Sequence, residues 1–384
     1  MAYGNPLGNP LGNPLGIPRH ASGPSSAIGS IVAHVGAAAA NELPADGRSL
    51  LKANYSALYN AIGDAYTQAV TTNLFTTVSL PSMSNWVSVA YGNGLFIAIS
   101  DTGLTSVSSD FGATWQAGGA LPAATYTCIT YGGGIFVAIA TGVAFGVSSI
   151  DGMAWTKRTM PSAANWSCVA YGGGRFVAFG GNGTNWAAYS LDGLTWTGSS
   201  NLTGLSSGDA AIAYGSGRFV VLDRTSITAV SAGTVDGVTW SLSPFTASQG
   251  WKSVTYGNGF FIAVASTTSP VVNYSWDGIN WVPSGSYFSV PFWLATFANG
   301  RFFIFRASGT AITNIDHANG TGGTFNLPAE GYIRSAATGG GFMVLLSTFS
   351  SNLAARVNLL PPTNFNLPNV QALDPDKTVF VRVS

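Results

Sequence analysis

The segment WVSVAYGNGLFIAI, residues 86–99, returns along this chain about every forty residues, and that repeat constrains the fold more than any other feature. Its copies read YTCITYGGGIFVAI, WSCVAYGGGRFVAF, AAIAYGSGRFVVL and WKSVTYGNGFFIAV, followed by the weaker LATFANGRFFIF and SAATGGGFMVLL. Equivalent positions are Tyr91, Tyr131, Tyr171, Tyr214, Tyr256, Phe297 and Thr338, spaced by 40, 40, 43, 42, 41 and 41 residues. Each copy holds two apolar strands around a turn whose Asn-Gly or Gly-Gly pair takes the positive φ angles of a tight hairpin. A second turn, rich in Asp and Gly, follows in five copies. A unit of this length with two hairpins is a four-stranded blade, so the expected fold is mainly β, a seven-bladed β-propeller.

Composition narrows the function. Only 8% of the 384 residues are charged, with 15 basic and 15 acidic, so no basic stripe exists to follow a phosphate backbone and nucleic acid is not an expected partner. Hydrophobic residues at 46% and aromatics at 12% supply a large core despite the low charge. The first residues lack a basic stretch followed by an apolar one, so synthesis in the cytoplasm without a signal peptide is expected. His20, His34 and His317 are scattered, so neither a metal nor any other cofactor is expected. Cys128 and Cys168 occupy equivalent repeat positions, which predicts small buried thiols rather than a disulfide.

The second turn reads SSDFGATW, SSIDGMAW, YSLDGLTW, TVDGVTW and YSWDGINW, with Asp110, Asp151, Asp192, Asp236 and Asp277 each preceding Trp115, Trp155, Trp196, Trp240 or Trp281. This resembles the Asp-box of sialidase-like propellers, although all copies but the first are one residue shorter between Asp and Trp. Five copies of one residue at one repeat position describe scaffolding: a short carboxylate accepts backbone N–H groups in a tight turn and the Trp packs between blades. Asp316 is a remnant of the motif, and the seventh unit lacks it. FTTVSLPSMSNW, residues 75–86, aligns without a gap to WTKRTMPSAANW, residues 155–166. Residues 75–81 are therefore expected to pair beside 353–358 and close the ring, leaving no free sheet edge.

IGSIVAHVG, LPADGRSLLKANYSALYNAIGDAY and FTTVSLPSM together resemble the phage tail-collar family, with Leu51, Tyr55, Leu58 and Ile62 on one helical face. TNFNLPNVQALDPDKTVFVRVS is similar to the closing segment of that module. The likeness covers about 75 residues in two pieces, and a blade directly follows LPSM where the family continues with glycine-rich sequence. The expected domains are an extended Gly/Pro-rich attachment arm over 1–27, a small α+β collar-like domain over 28–74, the propeller inserted over 75–360, and a closing collar-like segment over 361–384. In the arm, the repeats Asn5-Pro6-Leu7, Asn9-Pro10-Leu11 and Asn13-Pro14-Leu15 cannot form a helix or a core and suit a strap laid along another virion protein. What the resemblance implies is a bacteriophage tail-tip or tail-fibre protein on the distal tail. It would be a homotrimer, bound to other tail proteins, and would engage a host glycan, pilus or outer-membrane protein.

The turns joining strands one to two and three to four share one face of a propeller, and here that face is repetitive. The opposite face carries SDTGLTS, ATGVAFG, GGNGTNW, LDRTSITAVSAG and ASTTSPVV, which have nothing in common. Varied loops on a rigid scaffold carry recognition. Candidate receptor contacts there are the off-pattern aromatics Trp186, Tyr287, Phe288 and Trp293 and the charged Asp223, Arg224, Arg306 and Glu330; Asp101, Asp209 and Arg334 share the face. Arg175, Arg218 and Arg301 follow hairpin turns and belong to the repetitive face. No residue is expected to be catalytic. The rival readings are a glycan-cleaving, sialidase-like enzyme, which would draw two carboxylates from Asp209, Asp223 and Glu330, and a tail-assembly hub without a receptor.

Overall fold

The computed structural model describes residues 31–34, 42–44, 49–51, 58, 75–181, 187–199, 205, 209–224, 228–266, 272–283, 291–298, 301–306, 311–315, 324–326, 333–347, 351–359, 364–366 and 378–382. The chain divides into two compact units, residues 72–360 and the paired termini 1–71 with 361–384. In the terminal unit, Thr378–Arg382 lies between Ile31–His34 and Glu42–Pro44 in an antiparallel sheet, and Ser49–Leu51 pairs with Asn364–Asn366. Of the helical face expected from Leu51, Tyr55, Leu58 and Ile62, Leu51 instead ends the strand Ser49–Leu51 and Leu58 is buried, while Tyr55 and Ile62 lie outside the described residues. The arm, Asp316, Trp186, Tyr287, Phe288 and Glu330 also lie outside them.

The larger unit is a succession of antiparallel sheets, each led by an inner strand drawn from the repeat. Five sheets have four strands; they begin at Trp86–Gly92, Ala210–Gly215, Trp251–Gly257, Phe292–Ala298 and Ile333–Gly339. A sixth sheet has six strands, where the sequence predicts two separate sheets of four. The cause is local. Ile135–Ser149 stays extended through the expected connection, crossing it with two bulges around Val143. Thr156–Gly172 likewise runs from the last strand of one repeat into the inner strand of the next. Inner strands touch their neighbours in chain order, and Ile333–Gly339 touches Trp86–Gly92, so the succession closes on itself.

Closure uses the expected segment. Phe75–Ser84 pairs antiparallel with Ser351–Asn358, setting Phe75 opposite Val357 and Ser79 opposite Leu353. Its equivalence to residues 155–166 extends to side chains: the Trp86 indole donates to the Ser82 carbonyl at 3.3 Å, as Trp166 does to Ser162, also at 3.3 Å. Leu80 and Met160 fill matching buried positions.

Glycines fit the sheets together. A Cβ on Gly92, Gly132, Gly172 or Gly215 would stand 1.9–2.1 Å from Cγ of Tyr131, Tyr171, Tyr214 or Tyr256 in the next repeat. Gly257 meets Phe297 in the same way, and Gly339 meets Tyr91 across the closure. Where the next aromatic is replaced by Thr338, the glycine is replaced by Ala298. The ring stacked on a bare backbone is thus a single device repeated around the molecule, and the one departure changes both partners together.

Candidate functional site

The two ends of the inner strands differ in chemistry. At the end carrying the turns, every Asp-box satisfies itself. In the four shorter copies the carboxylate accepts backbone N–H groups two and three residues on, as Asp277 does from Ile279 and Asn280 at 2.8 Å each. The hydroxyl two residues earlier (Ser149, Ser190, Thr234 or Ser275) donates to that carboxylate and accepts from the glycine N–H. In the longer first copy the Asp110 carboxylate accepts instead from the backbone N–H and hydroxyl of Thr114, four residues on, and Phe111 takes a φ of 59°. Partial burial opposes ionisation of Asp110 and Asp277, yet the hydrogen bonds hold both carboxyls down at about 2. Arg175 and Arg218 donate to the carbonyls of Asp236 and Asp277, bracing the next repeat's turn.

Apolar side chains flank these turns in solvent. Ile150, Met153, Leu191, Leu194, Val235, Ile279 and Trp276, the last 58% exposed, all stand on the repetitive end.

The opposite end is built from one bulged position. Six of the inner strands skip a residue in register next to their first aromatic or aliphatic anchor, and the skipped residues are Val87, Thr127, Ser167, Lys252, Trp293 and Arg334. A bulge re-aims its side chain and leaves the residue out of the ladder. The small members tie sheets together: Thr127 donates to the Trp166 carbonyl at 2.8 Å, and Ser167 accepts the Ala210 N–H at 3.2 Å. In the last three repeats the same position holds the larger Lys252, Trp293 and Arg334.

Lys252 reaches back to the Arg224 carbonyl and forward over the Trp293 ring, 5.3 Å from its centroid. Arg224 pairs with Asp209 at 3.3 Å and hydrogen-bonds to it through the backbone as well. Arg334 donates to Asn85 at 3.0 Å, and the Asn85 amide donates to Asp101 at 2.6 Å. Burial lowers the pKa of Lys252 and of Arg334, and in each case the charge of Arg224 lowers it further. The carboxylates of Asp101 and Asp209 act on Arg334 in the opposite sense.

Several hydrogen-bonding atoms at this end have no partner among the described residues. They are buried atoms: Nε of Arg224, Nε of Arg306 and Oδ1 of Asp101. Arg306 sits opposite Phe292 in register, and the Arg224 backbone N–H donates to the Asp209 carbonyl; counted from the hairpin turn, Arg306 stands where Asp223 does and Arg224 lies one residue beyond.

Of the residues singled out from sequence, Arg224, Trp293 and Arg306 stand at this end, as do Asp101, Asp209 and Arg334. Asp223 is in a strand and only 1% exposed, so it underlies the mouth instead of offering a contact surface. Lys252 was missed, because WKSVTYGNG reads as an ordinary core strand. The signal lay in comparing repeats: one position reads Val, Thr, Ser, Ala, Lys, Trp, Arg, turning from small to long or aromatic in the last three copies. The two cysteines carry free thiols, Cys168 buried and Cys128 partly so, with burial pushing both thiol pKa values up.

Neither a protein family nor any curated protein matches the sequence. Solved structures do match in shape. YCF48 bound to a D1 peptide superposes with a TM-score of 0.60 at 12% identity, over 77% of this chain and 98% of that one. The chain folds as a β-propeller. Virginiamycin B lyase from Staphylococcus aureus, solved with quinupristin, gives a TM-score of 0.62 at 10% identity, over 74% of this propeller chain and 99% of the lyase. YCF48 from Cyanidioschyzon merolae gives 0.56 at 12% identity, over 74% and 98%. At such identities the likeness is one of fold, which many chemistries share.

Proposed function

We propose that this chain is a bacteriophage tail-tip or tail-fibre protein that binds a host-cell receptor through the charged mouth of its propeller. The propeller has seven blades in this reading, the six-stranded sheet counting as two, because it contains two Asp-box turns and two copies of the hairpin. The collar-like termini and the Asn-Pro-Leu arm attach it to other tail proteins, and the protein acts as a homotrimer without catalysis.

One observation carries the proposal: the repeats are alike at one end of the ring and unlike at the other. Selection for a scaffold alone has no reason to place Lys252, Trp293 and Arg334 at a position that Val87, Thr127 and Ser167 fill with small side chains. In a chain so poor in charge, a mouth with four cations, Arg224, Lys252, Arg306 and Arg334, and two exposed or half-exposed carboxylates, Asp101 and Asp209, is the natural recognition surface. The exposed apolar residues beside the Asp-box turns suit contact with virion proteins.

The test is saturable binding of the full-length protein to a panel of bacterial strains, with and without enzymatic removal of surface polysaccharide, and with released sugar assayed in parallel. Saturable binding without product is expected. Release of oligosaccharide would replace this reading with the hydrolase, and absence of binding to every strain would replace it with the assembly hub.

A further inference from the structure

We propose that the groove between the outer strand of the second repeat and the Asp-box turn of the third binds an extended acidic segment of a partner protein, its carboxylate seated on Arg158. The site is separate from the charged mouth and does not depend on the receptor-binding reading. The groove encloses about 500 Å³ and is lined by residues 157–161 and 194–196.

Its origin is a local exception to the repeat. Two and three residues beyond the Asp-box Trp, the other copies read Ala117-Gly118, Gly198-Ser199, Leu242-Ser243 and Pro283-Ser284, whereas the second reads Lys157-Arg158. With small residues there, the outer strand closes on the next repeat's turn. The Gly119 N–H donates to the Gly152 carbonyl at 2.9 Å, and a Cβ on Gly118 would stand 2.8 Å from that same oxygen. The Ser199 hydroxyl likewise donates to the Gly237 carbonyl. An arginine does not fit beneath a turn that has no room for a Cβ, and the groove takes the place of that closure.

The guanidinium is both oriented and available. Its Nε donates to the Ser148 hydroxyl at 2.8 Å, which leaves the two terminal amines as a parallel fork for one carboxylate. Those amines have no acceptor among the described residues and are not among the buried polar atoms. Neither Lys157 nor Arg158 has an ion-pair partner among the described residues. Asp192, the carboxylate of the facing turn, is held by the N–H groups of Leu194 and Thr195 and by the Ser190 hydroxyl. Lys157, 4.3 Å above the Phe145 ring, adds a second positive charge. Met160 and Trp196, buried in one core cluster, and the exposed Leu194 supply apolar surface beside the charges.

The open strand edge argues for a polypeptide occupant. Residues 156–159 pair with 145–148 along one edge, and on the other side the strand gains a partner, Arg175–Gly181, only from Asn165 onward. An extended segment laid along the free edge gains backbone hydrogen bonds as well as the carboxylate contact, which a small acid does not. Alternate side chains of that segment share a face, so an acidic residue and an apolar one two positions away enter the groove together.

The experiment offers the immobilised full-length protein a displayed library of random peptides of about twelve residues. Recovered peptides are expected to share an Asp or Glu two positions from an apolar residue. Fluorescence anisotropy of one such synthetic peptide is expected to show about tenfold weaker binding to Arg158→Ser, which copies Ser199, at an unchanged unfolding midpoint. The peptide with its acid changed to the amide is expected to lose as much against the parent, a comparison that does not touch the protein's fold. Lys252→Ala/Arg334→Ala is expected to bind the peptide like the parent. Recovery of no acidic peptide, or equal binding of acid and amide forms, overturns the site and leaves the receptor-binding reading standing. Binding of the N-acetyl amide of the acidic residue as tightly as the whole peptide overturns the polypeptide occupant in favour of a small organic acid.

Discussion

At the residue scale, the glycine that follows each repeat aromatic is the most stringent choice in the chain. Its Cβ has no room, because the next Tyr ring lies where it would go. Gly172→Ala is expected to lower stability by about 1–3 kcal/mol, the usual cost of overpacking a tight contact. Combined with Tyr214→Thr, which copies the natural Ala298 and Thr338 combination, it is expected to cost less than the two single changes added; a denaturant double-mutant cycle measures this. Ser216 makes the opposite case. It holds a hairpin position at a φ of 48°, where other repeats use Asn or Gly. Ser216→Asn is expected to stabilise by a few tenths to about 1 kcal/mol, seen as a higher unfolding midpoint. The Asp-box carboxyls add a pH dependence. The folded-state values of Asp110 and Asp277, about 2, lie below the ordinary carboxylate value near 4. Their contribution is therefore complete above about pH 4 and lost as pH falls through about 2. Thermal melts between about pH 5 and about pH 2 should show that slope, and Asp277→Asn should flatten it.

At the element scale, the closing strand decides whether the molecule has a free edge. Leu80 is buried in the cluster that joins Phe75–Ser84 to the first and last blades. Leu80→Ala is expected to cost about 2–5 kcal/mol, and deletion of residues 1–84 to leave an exposed edge that aggregates, read by unfolding midpoint and light scattering. The gapless match of residues 75–86 to 155–166 made this strand legible, because the fold demands a partner for an incomplete last repeat. The merging of two repeats into one six-stranded sheet was not legible. Nothing distinguishes ATGVAFG from a turn in sequence, since only Gly142 takes a positive φ and the bulges are set by pairing with Asn165 and Ala164. The mouth proposed for binding was half legible. Arg224, Trp293 and Arg306 stood out as off-pattern, but the bulge that turns Lys252 out of its ladder belongs to sheet geometry. Asp223, equally off-pattern, is 1% exposed at the end of its strand.

At the scale of the whole molecule, the repeat creates a rigid ring whose two ends diverge. One end spends its polar groups on its own turns and exposes apolar side chains. The other gathers cations, carboxylates and an aromatic from several blades, at a position whose freedom to vary comes from the bulge. The measurement that tests this most directly is flow-cytometric binding of the labelled full-length protein to bacterial cells, comparing the parent with the pair Lys252→Ala/Arg334→Ala and with Trp276→Ser. The account predicts saturable binding, reduced about tenfold or more by the mouth pair at an unchanged unfolding midpoint and unaffected by the Trp276 change. Equal binding by the mouth pair, or loss with Trp276→Ser alone, would place recognition elsewhere and contradict the account.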